Sequence, residues 1–297
     1  MRDRLDPLAR ALALPIWQGQ ATATALGGGI TNLNVLVSDA TRKAVVRIGD
    51  DIPVHQIMRF NELAASRAAH AAGVSPGVIH HEAGALVIDF VEGRTMTAAD
   101  LRDQDLLEQA LALVMHAHRD IPRHLRGPAL TFWVFQVVRD YATTLQDGGS
   151  RHRPMLSTLL AEAEDLERAV GRIEMVFGHN DLLPANFLHD GKRMWLIDWD
   201  YAGWGSPLFD LGGLAANNGL DAVQEAWVLE AYFGRPPDDD LWRRYRAMKA
   251  AAALREAMWS MVQEIYSHLD FDYRSYTGEY LDTYRRALAA TRETITR

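Results

Sequence analysis

The chain contains no cysteine. That absence excludes disulfides, thiolate nucleophiles and Cys-based zinc sites together, and it agrees with a reducing compartment. No apolar run approaches the roughly 18–20 residues of a membrane span. Basic residues are in deficit: 31 Lys and Arg stand against 39 Asp and Glu, a formal net charge of -8. Such a surface repels phosphodiester backbones and anionic lipid, so neither nucleic acid nor membrane is an expected partner. Met1 to Trp17 alternates charges with Leu and Ala and carries Pro15. It lacks the continuous apolar stretch and cleavage site of a signal peptide and reads as an amphipathic helix. The expected location is the cytoplasm. The Walker-type G-x-x-x-x-G-K-[ST], G-x-S-x-G, strand-following G-x-G-x-x-G and H-E-x-x-H patterns are all missing. His80-His81 and His116-x-His118 lack the spacing that puts two imidazoles on one helix face, and they read as surface or loop residues.

What is present is ordinary for a globular protein: 297 residues, 48% apolar and 24% charged. That length supports one large domain or two lobes. The first ninety or so residues read as about five short strands, with one helix inserted after the third. Ala21–Leu26 and Asn34–Ser38 flank Gly27-Gly28-Gly29, and Ala44–Ile48 forms the next strand. His55–Ala72 has helical apolar spacing and stops at Gly73. Val78–His80 and Ala85–Phe90 complete the set. Beyond Val91, helical periodicity recurs in Leu101–Arg119, Phe132–Leu145, Leu156–Val170, Asp221–Tyr232, Leu241–His268 and Glu279–Ile295. Met175–Asn218, rich in Asp, Asn, Gly and Trp, reads as the irregular stretch where a site belongs. Glu92-Gly93-Arg94 is the natural hinge. The expected fold is α+β and two-lobed, with a small N-terminal lobe over residues 1–91 and a larger, mainly helical lobe over 92–297.

The strongest motif is Gly178-His179-Asn180-Asp181-Leu182-Leu183-Pro184-Ala185-Asn186, followed by Leu196-Ile197-Asp198-Trp199-Asp200. An Asp, an Asn five positions later, and an Asp closing a short apolar strand form the constellation of a kinase catalytic centre. Asp181 suits the task of accepting a proton from an attacking hydroxyl. Asn186 and Asp198 offer hard oxygen ligands for Mg²⁺ against nucleotide phosphates. Asp200 is placed to help with a second metal or its water shell. Turn-forming Asp and Asn are the plainer alternative, but three of them at this spacing weigh against it. The Gly27–Asn32 loop can lay backbone N–H groups and the Thr31 and Asn32 side chains over phosphates, although glycine runs in hairpins are usually plain turns. Arg47 lies on the next strand and Glu62 on the following helix. A strand cation paired with a helix carboxylate holds phosphates in kinases. Lys is usual there, and Arg binds phosphate bidentately. An exposed strand charge is the equal alternative for Arg47.

Together these motifs resemble the choline/ethanolamine kinase family within the aminoglycoside phosphotransferase superfamily, which shares the protein-kinase-like fold. The resemblance covers about residues 25 to 210. It implies ATP as co-substrate with Mg²⁺, and a small-molecule amino alcohol, choline or ethanolamine, as phosphoryl acceptor. Gly29, Thr31, Asn32 and Arg47 then hold phosphates, with Glu62 orienting Arg47. The adenine lies against Asp89, Phe90 and Val91, while Asn186 and Asp198 bind the metal and Asp181 orients and deprotonates the acceptor. Phe209-Asp210-Leu211 matches a further family feature, whose aspartate supports the catalytic loop. Met258–Gln263 and Phe271–Tyr276 resemble the segment that supplies aromatic walls to a choline pocket, and Trp259, Tyr273 and Tyr276 are the candidate walls. Two positions depart from the eukaryotic pattern. Glu256 stands where a second Trp is expected, and Asn217 stands where a carboxylate is expected. Glu256 shares a helix face with Trp259 and is a candidate for the missing negative charge. The alternatives are an aminoglycoside, thiamine or sugar-alcohol kinase in the same fold, or an inactive kinase-like binding protein. The oligomeric state has no signature in the sequence.

Overall fold

The computed structural model describes residues 6–27 and 33–295. The phosphate loop read from the sequence, with Gly29, Thr31 and Asn32, therefore lies outside the described residues. Helix α1 (Pro7–Leu12) precedes strands β1 (Thr22–Leu26), β2 (Leu33–Ser38) and β3 (Lys43–Ile48). Helix α2 (Arg59–Ala71) intervenes before β4 (Val78–Glu82) and β5 (Ala85–Asp89). These strands form one antiparallel sheet in the order β1-β2-β3-β5-β4, so β5 returns to pair with β3 across the inserted helix. Alternation explains its two faces. Ala44 and Val46 of β3 point inward and pack with Val35, Val37 and Val87 beneath α1. Arg47, one residue on, points the other way.

The chain then crosses at Gly93. A Cβ there would lie 2.6 Å from the His189 carbonyl oxygen, so only glycine permits the approach. Strand β6 (Arg94–Thr95) pairs with β8 (Phe187–His189), which pairs with β9 (Met194–Leu196). A separate two-stranded ladder joins β7 (Val176–Gly178) to β10 (Gly203–Gly205). Around these short strands lie α3 (Gln104–His124), α4 (Val134–Asp147), α5 (Leu156–Val170), α6 (Pro207–Asn218), α7 (Ala222–Phe233), α8 (Asp239–Tyr266) and α9 (Tyr273–Ile295). Asp103, Ser206, Asp221 and Asp238 cap helix N-termini through side-chain oxygens, in the way their residue types favour. Helix α8 is the axle of this part. Almost every residue from Ala247 to Gln263 is buried, against α4, α5, α6 and α9.

Two differences from the sequence reading have clear causes. The stretch expected to stay irregular to Asn218 ends in α6. Ser206 caps it, Pro207 occupies its first turn, and Gly219 terminates it at φ 65°. Its two internal glycines mask the helical signal, and Gly212 lets the helix approach α8, where a Cβ would meet the Lys249 backbone at 2.8 Å. Helix α9 begins at Tyr273 rather than Glu279, because Tyr273, Thr277 and Leu281 extend its buried stripe by more than a turn. The apolar packing also crosses the expected lobe boundary. Ala65, Ala68 and Ala69 of α2 belong to the large helical core, not to the sheet's own small core. Among the described residues, no helix is long and apolar enough to cross a membrane.

Candidate active site

The site is assembled from three segments that are distant in sequence. Strand β3 supplies Arg47 and helix α2 supplies Glu62, whose Oε1 accepts from Arg47 Nη1 at 2.6 Å. The same nitrogen lies 2.9 Å from Asp198 Oδ1 and 2.8 Å from Asp200 Oδ1, both on the segment after β9. Arg59, one helical turn before Glu62, donates to Glu62 Oε2 at 2.7 Å and to Asp200 Oδ1 at 2.8 Å. Burial acts to discharge Arg47, but Asp198, Glu62 and Asp200 overrule it and hold the guanidinium charged well above its ordinary range. The strand–helix pair expected from the sequence is thus present, and it extends into a network of two cations and three carboxylates. Sequence reading missed Arg59, although its spacing of three from Glu62 was the available signal.

The second segment follows β7. Asn180 adopts the left-handed region at φ 64°, and its amide donates to the Tyr201 carbonyl at 2.9 Å. Asp210, in the first turn of α6, accepts from the backbone N–H groups of His179 at 2.8 Å and Asn180 at 2.7 Å. His118 donates to the same carboxylate at 2.8 Å. Burial opposes the Asp210 charge, yet these hydrogen bonds and neighbouring imidazoles bring its pKa below the usual range. His118 is therefore not the surface histidine the sequence suggested; it is buried and clamps this loop from α3. His80 and His81 do lie on strand β4, partly or fully exposed. The loop so fixed presents Asp181. Asn186 Nδ2 donates to the Asp181 carbonyl at 2.8 Å and to Asp181 Oδ2 at 3.2 Å. Burial, reinforced by Glu256 and Asp198, pushes the Asp181 carboxyl up to about 8 against the opposing pull of Arg255. Asp198 sits at φ 69°, a strained conformation for a non-glycine residue, of the kind that clusters at functional sites.

At the expected hinge, the Asp89 N–H donates to Gly77 at 2.8 Å and the Phe90 N–H to Lys43 at 3.4 Å. Of the three hinge amides, Val91 is the one without a protein acceptor among the described residues.

The third segment needs correction. Trp259, Tyr273 and Tyr276 do come together, but not as an open box. The Trp259 ring meets both tyrosines edge-on at 6.1 Å and also touches His55 at 5.7 Å. Trp259 is 3% and Tyr273 6% exposed, and the rings fill one another's space. The opening beside Asp181 is instead a small polar pocket lined by Leu182, Phe209, Asn217, Arg255 and Glu256. Glu256 does not offer it a lone negative charge. Its Oε2 accepts from Arg255 Nη1 at 2.7 Å and its Oε1 from the Tyr276 hydroxyl at 2.8 Å. Asn217 Oδ1 accepts from Tyr280 at 3.3 Å. Sequence reading singled out neither Arg255 nor His55, and both are buried beside the residues it did select.

Comparison with known proteins places this geometry. Residues 22–256 match the model of the phosphotransferase enzyme family. A probable ethanolamine kinase from Arabidopsis thaliana is 26% identical, over 91% of this chain and 80% of that protein. Protein LicA from Haemophilus influenzae is 27% identical, over 69% of this chain and 61% of that protein. The crystal structure of a choline/ethanolamine kinase family protein from Mesorhizobium loti superposes with a TM-score of 0.75 and 28% identity, covering 96% of this chain and 97% of that one. The choline kinase LicA from Streptococcus pneumoniae shares the fold at a TM-score of 0.75 and 19% identity, over 93% and 95% of the two chains. With the family match running from β1 into the middle of α8, the chain belongs to the phosphotransferase enzyme family.

Proposed function

We propose that this enzyme transfers the γ-phosphoryl group of ATP to the hydroxyl of a small amino alcohol. One observation carries the reading: Asp181 and Asn186 are hydrogen-bonded on one side of the site, and Asp198 is tied to Arg47 on the other. An acceptor-orienting carboxylate thereby faces a phosphate-binding edge, and phosphoryl transfer needs little more than such positioning and charge neutralisation. In this reading the lobes divide at residues 91 and 92. The adenine lies at the hinge against Val91, with Asp89 and Phe90 shaping the wall. Arg47, oriented by Glu62, contacts phosphate together with Gly29, Thr31 and Asn32.

Magnesium fits the donors present. Asn186 Oδ1 and Asp198 Oδ2 accept from no protein group among the described residues. Two such oxygens, completed by phosphate oxygens and water, are what Mg²⁺ takes in nucleotide sites. When bound, the ion neutralises charge on the transferring phosphates. Asp181 would hold the acceptor hydroxyl in line and take its proton.

For the acceptor, a primary amino alcohol of ethanolamine type suits the pocket best. Its wall includes Asn217, Glu256 and Asp181, oxygens that an N–H donor can use, beside the Arg255 guanidinium already paired with Glu256. A trimethylammonium has no N–H to donate and needs aromatic faces, and those of Trp259 and Tyr273 are covered. Choline is the second reading, because Tyr276, which donates to Glu256, also meets the Trp259 ring, which in turn meets Tyr273. The test is a coupled ADP-release assay with Mg-ATP and ethanolamine, choline, thiamine or kanamycin. The expected result is strongest stimulation by ethanolamine. Choline ahead of it would mean that the aromatic cluster opens on binding. Thiamine or kanamycin ahead of both would overturn the acceptor reading.

A further inference from the structure

Helix α8 carries a guanidinium that the chemistry above leaves unused. Arg255 is 3% exposed. Its Cζ lies 4.1 Å from the Tyr201 ring centroid and 5.9 Å from that of Phe132. One nitrogen, Nη1, serves two carboxylates, 2.7 Å from Glu256 Oε2 and 3.6 Å from Asp181 Oδ1. Nε and Nη2 are buried and donate to no group among the described residues.

A buried cation with open donor positions is expensive to keep, and an apolar side chain of similar volume is often the more stable choice. Packing alone therefore does not account for Arg255. Its surroundings suggest what does. The loop from His179 to Asn186 contains no Lys or Arg, and among the described residues Arg255 is the one cation paired with Asp181. Glu256 faces the same small pocket. Without a cation between them, an ionised Asp181 faces Glu256 in a medium where charge is poorly screened. Asp181, held on one side by the amide of Asn186, then has reason to swing away from its acceptor-facing position. A guanidinium resists this better than an ammonium, because its plane is fixed by the ring beneath it and its nitrogens cannot rotate independently.

We propose that Arg255 is a positioning residue for phosphoryl transfer, a guanidinium brace that pins Asp181 by linking it to Glu256 while lying on Tyr201. This rests on Asp181 being the acceptor-orienting group. The brace continues to α9 through the Tyr276 hydroxyl on Glu256, so the loop and the last two helices share one polar connection.

The experiment compares R255M and R255K, each in the wild-type and the D181N backgrounds. ADP release from Mg-ATP is measured with ethanolamine and without any acceptor, alongside the melting temperature. For R255M, kcat should fall about 100-fold while the ATP KM stays within about twofold, the pattern of a lost positioning contact. R255K should recover about tenfold of that loss. In the D181N background R255M should change the residual rate by less than about twofold, because the group it acts through is already disabled. A purely structural role would cost as much in D181N as in wild type; loss of the buried partner of Glu256 lowers the melting temperature under either role, so the double-mutant comparison decides. A folded R255M that keeps kcat within about threefold, or a loss fully additive with D181N, overturns the proposal. Should R255M not fold, R255K decides. A loss of about fivefold or more at unchanged melting temperature supports the planar brace, and wild-type kcat overturns it. Acceptor-free hydrolysis separates this from the choice of acceptor. A wrong acceptor shows as no stimulation in any variant, while the effect of Arg255 is still read with water. A wild-type chain that releases no ADP under either condition overturns both readings.

Discussion

Two arginines at this site, Arg47 largely enclosed and Arg255 fully buried, are served differently. Arg47 Nη1 is within 2.9 Å of three carboxylates, and Arg59 balances the group from the other side. Arg255 has one carboxylate at 2.7 Å, a second at 3.6 Å, and two donor positions that meet no acceptor among the described residues. The first network is complete in the protein itself. It fastens β3, α2 and the segment after β9 to one another, and it sets the edge where phosphates are expected. The second is incomplete. Incomplete buried networks are poor choices for stability, so they persist where position matters more. The comparison separates a cation that holds the fold and the nucleotide edge together from one that holds a side chain in place.

The largest test removes what each arginine faces. Asp181→Asn and Asp198→Asn should each lower kcat by about a thousandfold or more, since charge placement is the main source of catalysis in phosphoryl transfer. For Asp181→Asn the melting temperature should stay near wild type, because the side-chain volume is kept; Asp198→Asn takes a charge from the Arg47 network and should lose some stability. Steady-state ADP release and a thermal melt check both halves. Retained turnover in Asp181→Asn would remove the reason for treating Arg255 as a brace.

The next effect falls on the complete network. Arg47→Met leaves Glu62, Asp198 and Asp200 facing one another with Arg59 as the remaining cation. Removing one partner from a buried ionic group costs about 3 kcal/mol. Urea denaturation should register that loss, and the ATP KM should rise by about tenfold or more. Arg255→Met leaves Glu256 buried without its cation and so also costs stability; it differs in losing kcat while the ATP KM stays within about twofold. If both arginines behaved alike, the distinction drawn between them would fail.

How far the sequence reveals these features follows the same division. Arg47 and Glu62 are legible because each sits in an element with its own signal, a β-branched strand and an amphipathic helix, in a recognisable order. Asp181, Asn186 and Asp198 are legible through spacing alone. Arg255 has no such context, being one arginine in a long helix that carries several. Its burial becomes visible only once α4, α5, α6 and α9 enclose α8. Trp259 shows the converse. Its residue type suggests a cage, but type does not report whether the ring faces space or other rings, and here it faces other rings. His118 fails for a related reason. The spacing from His116 speaks to helix faces and metal geometry, whereas depth is set by where Asp210 lies. The five strands of the sheet and eight of the nine helices among the described residues are readable from the sequence. Helix α6 was hidden by glycines placed for close packing, a tertiary cause with no local signature.

The smallest effect concerns the neighbourhood that sets Arg255 apart. His55 is 2% exposed, with Nδ1 3.0 Å from the Tyr141 hydroxyl. Burial first, and the positive charge of Arg255 in addition, depress its pKa to about 4, while a hydrogen bond with Gln263 works the other way. An unfolded histidine titrates near 6.5. Between those values the unfolded chain binds the proton and the folded chain does not, so folding stability rises with pH across the window. The contribution is present above about pH 6.5 and is lost as the pH falls toward 4, at up to about 1.4 kcal/mol per unit. His55→Gln removes that proton, so the drop in urea midpoint between pH 7 and pH 5 should be smaller in the variant than in wild type. In Arg255→Met one of the two depressing influences is gone, and the drop should be intermediate. Arg47→Met should leave His55's share of the slope unchanged, because that arginine's charge is balanced by its own carboxylates. An equal change in slope for both arginine variants would show that the two cations share one electrostatic environment after all.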